Sequence, residues 1–328
     1  MHHLVVGGNG FLGQHLVRAL SAEGHCVSVV DIARSDHELY GKVPFHHADL
    51  TDPKQLANLP RQRVDVIHHL AAKLIVPNYP RVRRREYFWA CIFSGTENLL
   101  ACMRSLQCDS LIYWSSDMVY GPVVYSPRDE KHPRQPLGPY GIAKAAAEDL
   151  CMAHRQKGIN VTIFRPRLII GPGRLGILEK LFKLIRNHLP VPVIGDGSNC
   201  FQFVSVYDCA AASVSAAERG VPNAEYNLGS VDSPTVADLL GDLIRRANSR
   251  SKLIRTPGSM AKTALRALNG LGIGLMDPEQ FEIADQEVRL DVSAAQRDLH
   301  WHPRYDDRNM MVAAYEAYLK RPSAWGAT

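Results

Sequence analysis

The 328 residues are 46% hydrophobic with a formal charge of +5, enough apolar content for one large core or two smaller ones. Basic residues are dispersed apart from Arg81-Val82-Arg83-Arg84-Arg85, so no nucleic-acid footprint is expected, and that run reads first as a solvated helix end and second as an anion contact or partner surface. Seven scattered cysteines, with no Cys-x-x-Cys and no cysteine/histidine cluster at zinc spacing, support neither a disulfide framework nor a metal site.

The first residues run directly into Leu4-Val5-Val6, which leaves no room for a signal peptide. The most apolar later run, 261–276, is broken by Lys262, Arg266 and glycines. The expectation is a cytoplasmic chain without a membrane span.

Leu4-Val5-Val6 reads as a short buried strand entering Gly7-Gly8-Asn9-Gly10-Phe11-Leu12-Gly13, then a helix through Leu20. Glycines at 7, 10 and 13 between strand and helix make a phosphate site, because backbone N–H groups point outward and only glycine permits a pyrophosphate so close. A second strand, Cys26 to Val30, ends in Asp31, placed to grip a ribose diol. A carboxylate there repels a 2′-phosphate, so NAD is favoured over NADP, with Arg34 as the contrary sign.

A third unit, Pro44 to Leu50, leads into a short helix opened by Thr51-Asp52-Pro53; Asp49 reads equally as an adenine contact or as a helix-capping acid. Val64 to Ala72 is a buried strand ending in small residues that let the chain pass close to a cofactor, with His68 and His69 as packing residues. Tyr87 to Met103 has helical periodicity, and Leu111 to Ser116 is the next strand, its hydroxyls at the end that faces the ligand crevice of a doubly wound sheet. After a loop rich in proline and charge comes Pro139-Tyr140-Gly141-Ile142-Ala143-Lys144. Helical geometry puts Tyr140 and Lys144 on one face, one turn apart, where a cation favours phenolate and makes a proton-transfer pair.

These stretches, with His69-Leu70-Ala71-Ala72, Gly95-Thr96, Val119-Tyr120-Gly121, Arg165-Pro166, Gly195-Asp196-Gly197, Asp208, Tyr226-Asn227-Leu228-Gly229 and Asp291-Val292-Ser293, resemble the extended short-chain dehydrogenase/reductase family, and within it the NAD-dependent epimerase/dehydratase group. The resemblance implies an α/β fold: a Rossmann doubly wound parallel sheet with a smaller, discontinuous C-terminal substrate lobe. Expected boundaries are an NAD-binding domain at 1–171, rejoined at about 203–228, and a mainly substrate-binding lobe at 172–328. By similarity Tyr140 is the general acid or base, Lys144 lowers its pKa and binds the nicotinamide ribose, and Ser116 bonds the substrate oxygen. Ser116 is preferred to Ser115 because it stands five residues before Gly121. Cofactor contacts are expected from Gly7, Gly10, Phe11, Leu12, Gly13, Asp31, Asp49, Leu50, Ala71, Ala72, Tyr140 and Lys144, and substrate contacts from Ser116, Asp117, Arg174 and Phe201.

Departures from the family pattern bear on the substrate. The dehydratase branch carries two carboxylates after the serine or threonine; here they are Asp117 and Met118, and a thioether takes no proton, so dehydration is not expected. Leu168 and Cys200-Phe201 replace an asparagine and an arginine that commonly hold the nucleotide diphosphate. Arg167, Arg174, Arg255 and Arg289 are candidate replacements, each more simply a surface charge. The helices at 175–189 and 259–275 read as apolar covers, resembling the 3β-hydroxysteroid dehydrogenase branch. The first expectation is thus a nucleotide-sugar epimerase or ketoreductase, the second a dehydrogenase of an apolar hydroxy or keto compound, and the third a dinucleotide-binding protein without turnover. A homodimer is expected through the helices at 84–102 and 140–154.

Overall fold

The computed structural model describes residues 1–34, 42–59, 62–72, 83–173, 177–270 and 281–320. Seven parallel strands form the central sheet: β1 (His2–Val6), β2 (Cys26–Asp31), β3 (Phe45–His47), β4 (Val66–His69), β5 (Ser110–Trp114), β6 (Asn160–Pro166) and β10 (Glu225–Leu228). Their spatial order is β10-β6-β5-β4-β1-β2-β3. The chain winds outward from β1 through β2 to β3, then crosses back to β4 on the other side. That reversal opens a crevice between the carboxyl ends of β1 and β4, where such sheets bind ligands.

The strands are near-continuous apolar runs because both faces are covered. Along β5, Leu111 and Tyr113 pack on one face with Phe88, Ile92, Leu99, Ala143 and Ala147. Ile112 and Trp114 pack on the other with Phe164, Val206, Cys209 and Ala212. Helix α1 (Phe11–Ala22) buries Leu12, Leu16, Val17 and Leu20 at helical spacing. Helix α2 (Pro53–Ala57) is capped by Asp52, whose side chain accepts from the Lys54 amide. Helix α5 (Pro139–Arg155) starts with proline at its first turn, where the missing N–H costs nothing.

The helix expected over 87–103 is α3 (Arg84–Phe88), a π turn (Trp89–Ser94) and α4 (Gly95–Cys102) in succession. At the junction Thr96 Oγ1 donates to the Ile92 carbonyl at 2.6 Å, and a Cβ on Gly95 would stand 3.1 Å from Leu50 Cβ. The wider turn lets the helix pass this close to Leu50.

Two small parallel sheets lie outside the main one: β7 (Leu168–Ile170) with β9 (Phe203–Ser205), and β8 (Val191–Ile194) with β11 (Leu253–Thr256). Residues 203–205 pair with β7, whereas α7 (Val206–Glu218) packs on the main sheet and β10 joins its edge beside β6. Helices α6 (Ile177–Arg186), α8 (Val236–Arg246) and α11 (Asp307–Leu319) enclose a further core of Leu178, Phe182, Val193, Phe203, Leu239, Leu243, Met311 and Tyr315. Helices α9 (Gly258–Gly270) and α10 (Ser293–Leu299) complete the described elements, and α9 has no buried residue. Among the described residues no helix is long and apolar enough to cross a membrane.

Candidate active site

The glycine turn connects β1 to α1 in a space that side chains would fill. Gly7 has φ +83°, and a Cβ there would lie 2.7 Å from the Ala71 nitrogen. A Cβ on Gly13 would lie 2.3 Å from the Gly7 carbonyl oxygen, so α1 sits directly on the turn. Gly10 caps α1 without a side chain, which leaves its amino end facing the crevice as an anion site. Asp31 closes the far side: its carboxylate accepts from the Asn9 amide at 2.9 Å and from the Ala33 amide at 3.3 Å. Burial pushes this carboxyl up from its ordinary range, opposed by those same hydrogen bonds.

A cleft of about 960 Å³ opens here, lined by Gly7, Gly10, Phe11, Leu12, Gly13, Ala72, Ser115, Ser116, Asp117, Tyr140, Lys144 and Phe201 among others. The structure therefore brings together the glycine turn, the tyrosine–lysine pair and both serines, which lie far apart in sequence. Lys144, 2% exposed, donates from Nζ to the Trp114 carbonyl at 2.5 Å. Burial lowers its pKa to about 7, with Glu148 acting in the opposite direction. Tyr140 is 8% exposed on the same helix face, edge-on to Phe88 at 5.7 Å.

Ser116 Oγ accepts from the Met118 amide at 3.2 Å, capping the short turn Asp117–Val119. Ser115 Oγ is buried with no partner among the described residues. That orphaned hydroxyl, the glycine cradle and the Asp31 carboxylate fit a dinucleotide laid across the carboxyl ends of β1, β2 and β5.

Other expected residues lie differently. Asp49 accepts from both the amide and the hydroxyl of Thr51 at 2.8 Å, a local turn contact outside the cleft lining. Leu50 is buried beneath α4, and its carbonyl accepts from Asn98 Nδ2. Ala71 packs against Gly7. Arg174 falls outside the described residues, as do Arg81 and Val82. His68 and His69 are buried packing residues bonded to His3 and Thr96.

Arg167 corrects the expectation of a surface charge. It is 4% exposed, ion-paired with Asp117 and lines the cleft, with its guanidinium carbon 4.5 Å from the Phe201 ring centroid. Two positive charges of opposite placement, Arg165 and Arg167, leave β6: Arg165 is bound to Glu148, while Arg167 enters the cleft. The deeper wall is aliphatic, with Leu178, Leu181, Val193, Leu239, Leu240 and Met311. Of these, only Leu178 and Leu181 fall in a stretch that the sequence marks as an apolar cover, and nothing local shows that the six share one wall.

Residues 3–229 match the model of the NAD dependent epimerase/dehydratase family. The chain belongs to that family. Among its relatives, the putative UDP-glucose 4-epimerase of Methanocaldococcus jannaschii is 31% identical over 74% of this chain and 81% of its own length. The solved UDP-glucose 4-epimerase of Thermotoga maritima with UDP-glucose superposes with a TM-score of 0.78 at 25% identity, covering 98% of this chain and 99% of that one. Human dTDP-D-glucose 4,6-dehydratase is 26% identical over 76% of each chain. Membership of the NAD dependent epimerase/dehydratase family thus gives no ground for setting dehydration aside, and the expectation against it rests on Met118 alone.

Proposed function

We propose that this protein holds NAD in the glycine-turn crevice and oxidises or reduces a secondary alcohol or ketone of a nucleotide sugar, by epimerisation or keto reduction. The observation that carries this reading is the meeting of Tyr140, Lys144 and Ser116 in one cleft beside the glycine turn. Bound NAD supplies the hydride acceptor and donor. Tyr140 takes the proton from the alcohol as it is oxidised and returns it on reduction. Lys144, buried one helical turn away, favours the phenolate by its charge. Ser116 donates a hydrogen bond from its hydroxyl to the same substrate oxygen. Asp31 supports NAD over NADP, since its carboxylate faces the turn that a ribose hydroxyl, and not a phosphate, can approach. The nucleotide-sugar assignment is supported by the relatives named for UDP-glucose and dTDP-glucose.

In this proposal residues 1–171, with the returning segment, hold the cofactor, and 172–328 mainly hold the substrate. Met118 leaves the position of a second carboxylate without a base, which favours redox chemistry over elimination. The exposed Trp89, stacked on Phe93 at 4.5 Å, and the exposed Ile142 support a homodimer built on α3, α4 and α5.

A second reading, an apolar hydroxy or keto substrate, is favoured by the aliphatic deep wall. One experiment separates the two: a thermal shift of the NAD-loaded protein with UDP, dTDP, GDP and CDP. A ligand that binds only the folded state raises the melting temperature. A selective rise with one nucleotide is expected; no rise with any overturns the nucleotide-sugar reading and leaves the apolar one.

A further inference from the structure

The reaction above leaves a charged pair in the cleft without a role. Arg167 donates from Nη1 to the Asp117 carboxylate, and Asp117 directly follows Ser116 in the chain. Among the described residues, Nε and Nη2 of Arg167 have no hydrogen-bond partner. The Phe201 ring meets the guanidinium face, but a ring face offers no acceptor to in-plane N–H groups. Nε and Nη2 form one edge of the guanidinium, and their two parallel N–H bonds match the two oxygens of a carboxylate. An open edge on a buried cation is costly, because each unmade hydrogen bond leaves a desolvated donor.

Charge points the same way. Arg128, 1% exposed, lies close enough for its ionisation to feel both Asp117 and Arg167, and its Nη2 donates to the Gly121 carbonyl at 2.9 Å. The neighbouring Glu148 is committed to Arg165 and Arg134. Two buried guanidiniums therefore lie in the field of the Asp117 carboxylate, and an anionic substituent on the ligand would add to its negative charge there. The two free nitrogens are shielded from bulk water, the guanidinium face is covered by the half-buried Phe201, and both residues line the cleft.

We propose that Arg167 determines the substrate specificity of this cleft: its unpartnered edge receives a carboxylate on the sugar, so that the substrate is a nucleotide uronate. The inference rests on the nucleotide-sugar reading, and the aliphatic wall would then pack the remainder of the ligand. It assigns Arg167 to recognition and gives it no part in proton or hydride movement.

The test is calorimetric binding of UDP-glucuronic acid and of UDP-glucose to the NAD-loaded protein. The two ligands differ only in a carboxylate where the other has a hydroxymethyl group. The uronate is expected to bind at least about tenfold more tightly, the scale of a charge-assisted bidentate contact. Arg167→Met should reduce that preference to about twofold or less. Because Arg167→Met strands the Asp117 carboxylate, the double variant Asp117→Asn/Arg167→Met, which removes the pair together, should show the same loss with a melting temperature near that of the parent. Equal affinity for the two ligands, or a preference that survives in both variants, overturns this inference and leaves the nucleotide-sugar reading intact. Binding of neither ligand overturns both.

Discussion

Lys144 shows how one residue trades stability for chemistry. Its pKa is lowered to about 7 by burial, against 10.5 for an ordinary lysine. Between those values the unfolded chain binds more protons than the folded one, so the contribution of Lys144 to stability rises with pH across that window and is at its worst below about 7. Lys144→Met should therefore raise stability at pH 7, by about 2 kcal/mol in urea titration, while lowering turnover by about 100-fold or more. A destabilised variant would mean that the bond to the Trp114 carbonyl outweighs the cost of burial. Tyr140→Phe should lose turnover on a similar scale with NAD affinity within about twofold of the parent; normal turnover would remove Tyr140 from the proposed mechanism. Asp31 belongs to the same scale. Asp31→Ser removes the carboxylate expected to hold the ribose diol, and the ratio of NADP to NAD affinity should rise by about tenfold or more in fluorescence titrations.

At the scale of elements, the junction of β1 and α1 has the least room for change. A Cβ on Gly13 would meet backbone atoms of Gly7 and Gly8, at 2.3 and 2.6 Å, and backbone cannot rotate away as a side chain tip can. Gly13→Ala should displace α1, cost about 1–3 kcal/mol and abolish NAD binding measured by fluorescence, which a change in the helix interior would leave intact. This junction was legible in the sequence because its signals are local: strand, glycine spacing and helix lie within one short stretch, as do Tyr140 and Lys144 within one turn. The Asp117–Arg167 pair was not, because its partners stand 50 residues apart and nothing in either segment indicates that β5 and β6 deliver them to one place. The aliphatic wall was illegible for the same reason, being assembled from α6, β8, α8 and α11. The pairing of residues 203–205 with β7 rather than with the main sheet is likewise a product of the tertiary fold.

At the scale of the molecule, three histidines tie the central sheet to pH. His3 on β1 and His68 on β4 share a hydrogen bond of 2.9 Å between adjacent parallel strands, and His69 Nε2 lies 2.9 Å from Thr96 Oγ1. All three are buried. Burial, more than the neighbouring positive charges, lowers His3 to about 4 and His69 to about 3, and it lowers His68 well below the ordinary imidazole range. A neutral pair can share one proton between Nδ1 and Nε2; two imidazolium rings would have only donors to face each other. In the unfolded chain these groups titrate near 6.5. Below that value the unfolded state gains protons that the folded state refuses, so stability is fully present above about 6.5 and declines as pH falls towards about 4, where His3 begins to charge in the folded protein. Because β1 and β4 lie in the middle of the sheet, no local opening can relieve the histidines, and the decline should appear as cooperative unfolding of the whole sheet. The urea midpoint is expected to fall steadily from pH 6.5 to 4.5. In the double variant His3→Val/His68→Val, which replaces both partners with strand-forming apolar residues, that slope should flatten by about half or more while stability at pH 7.5 changes little. An unchanged slope would place the acid sensitivity in other groups and leave the pair as packing alone.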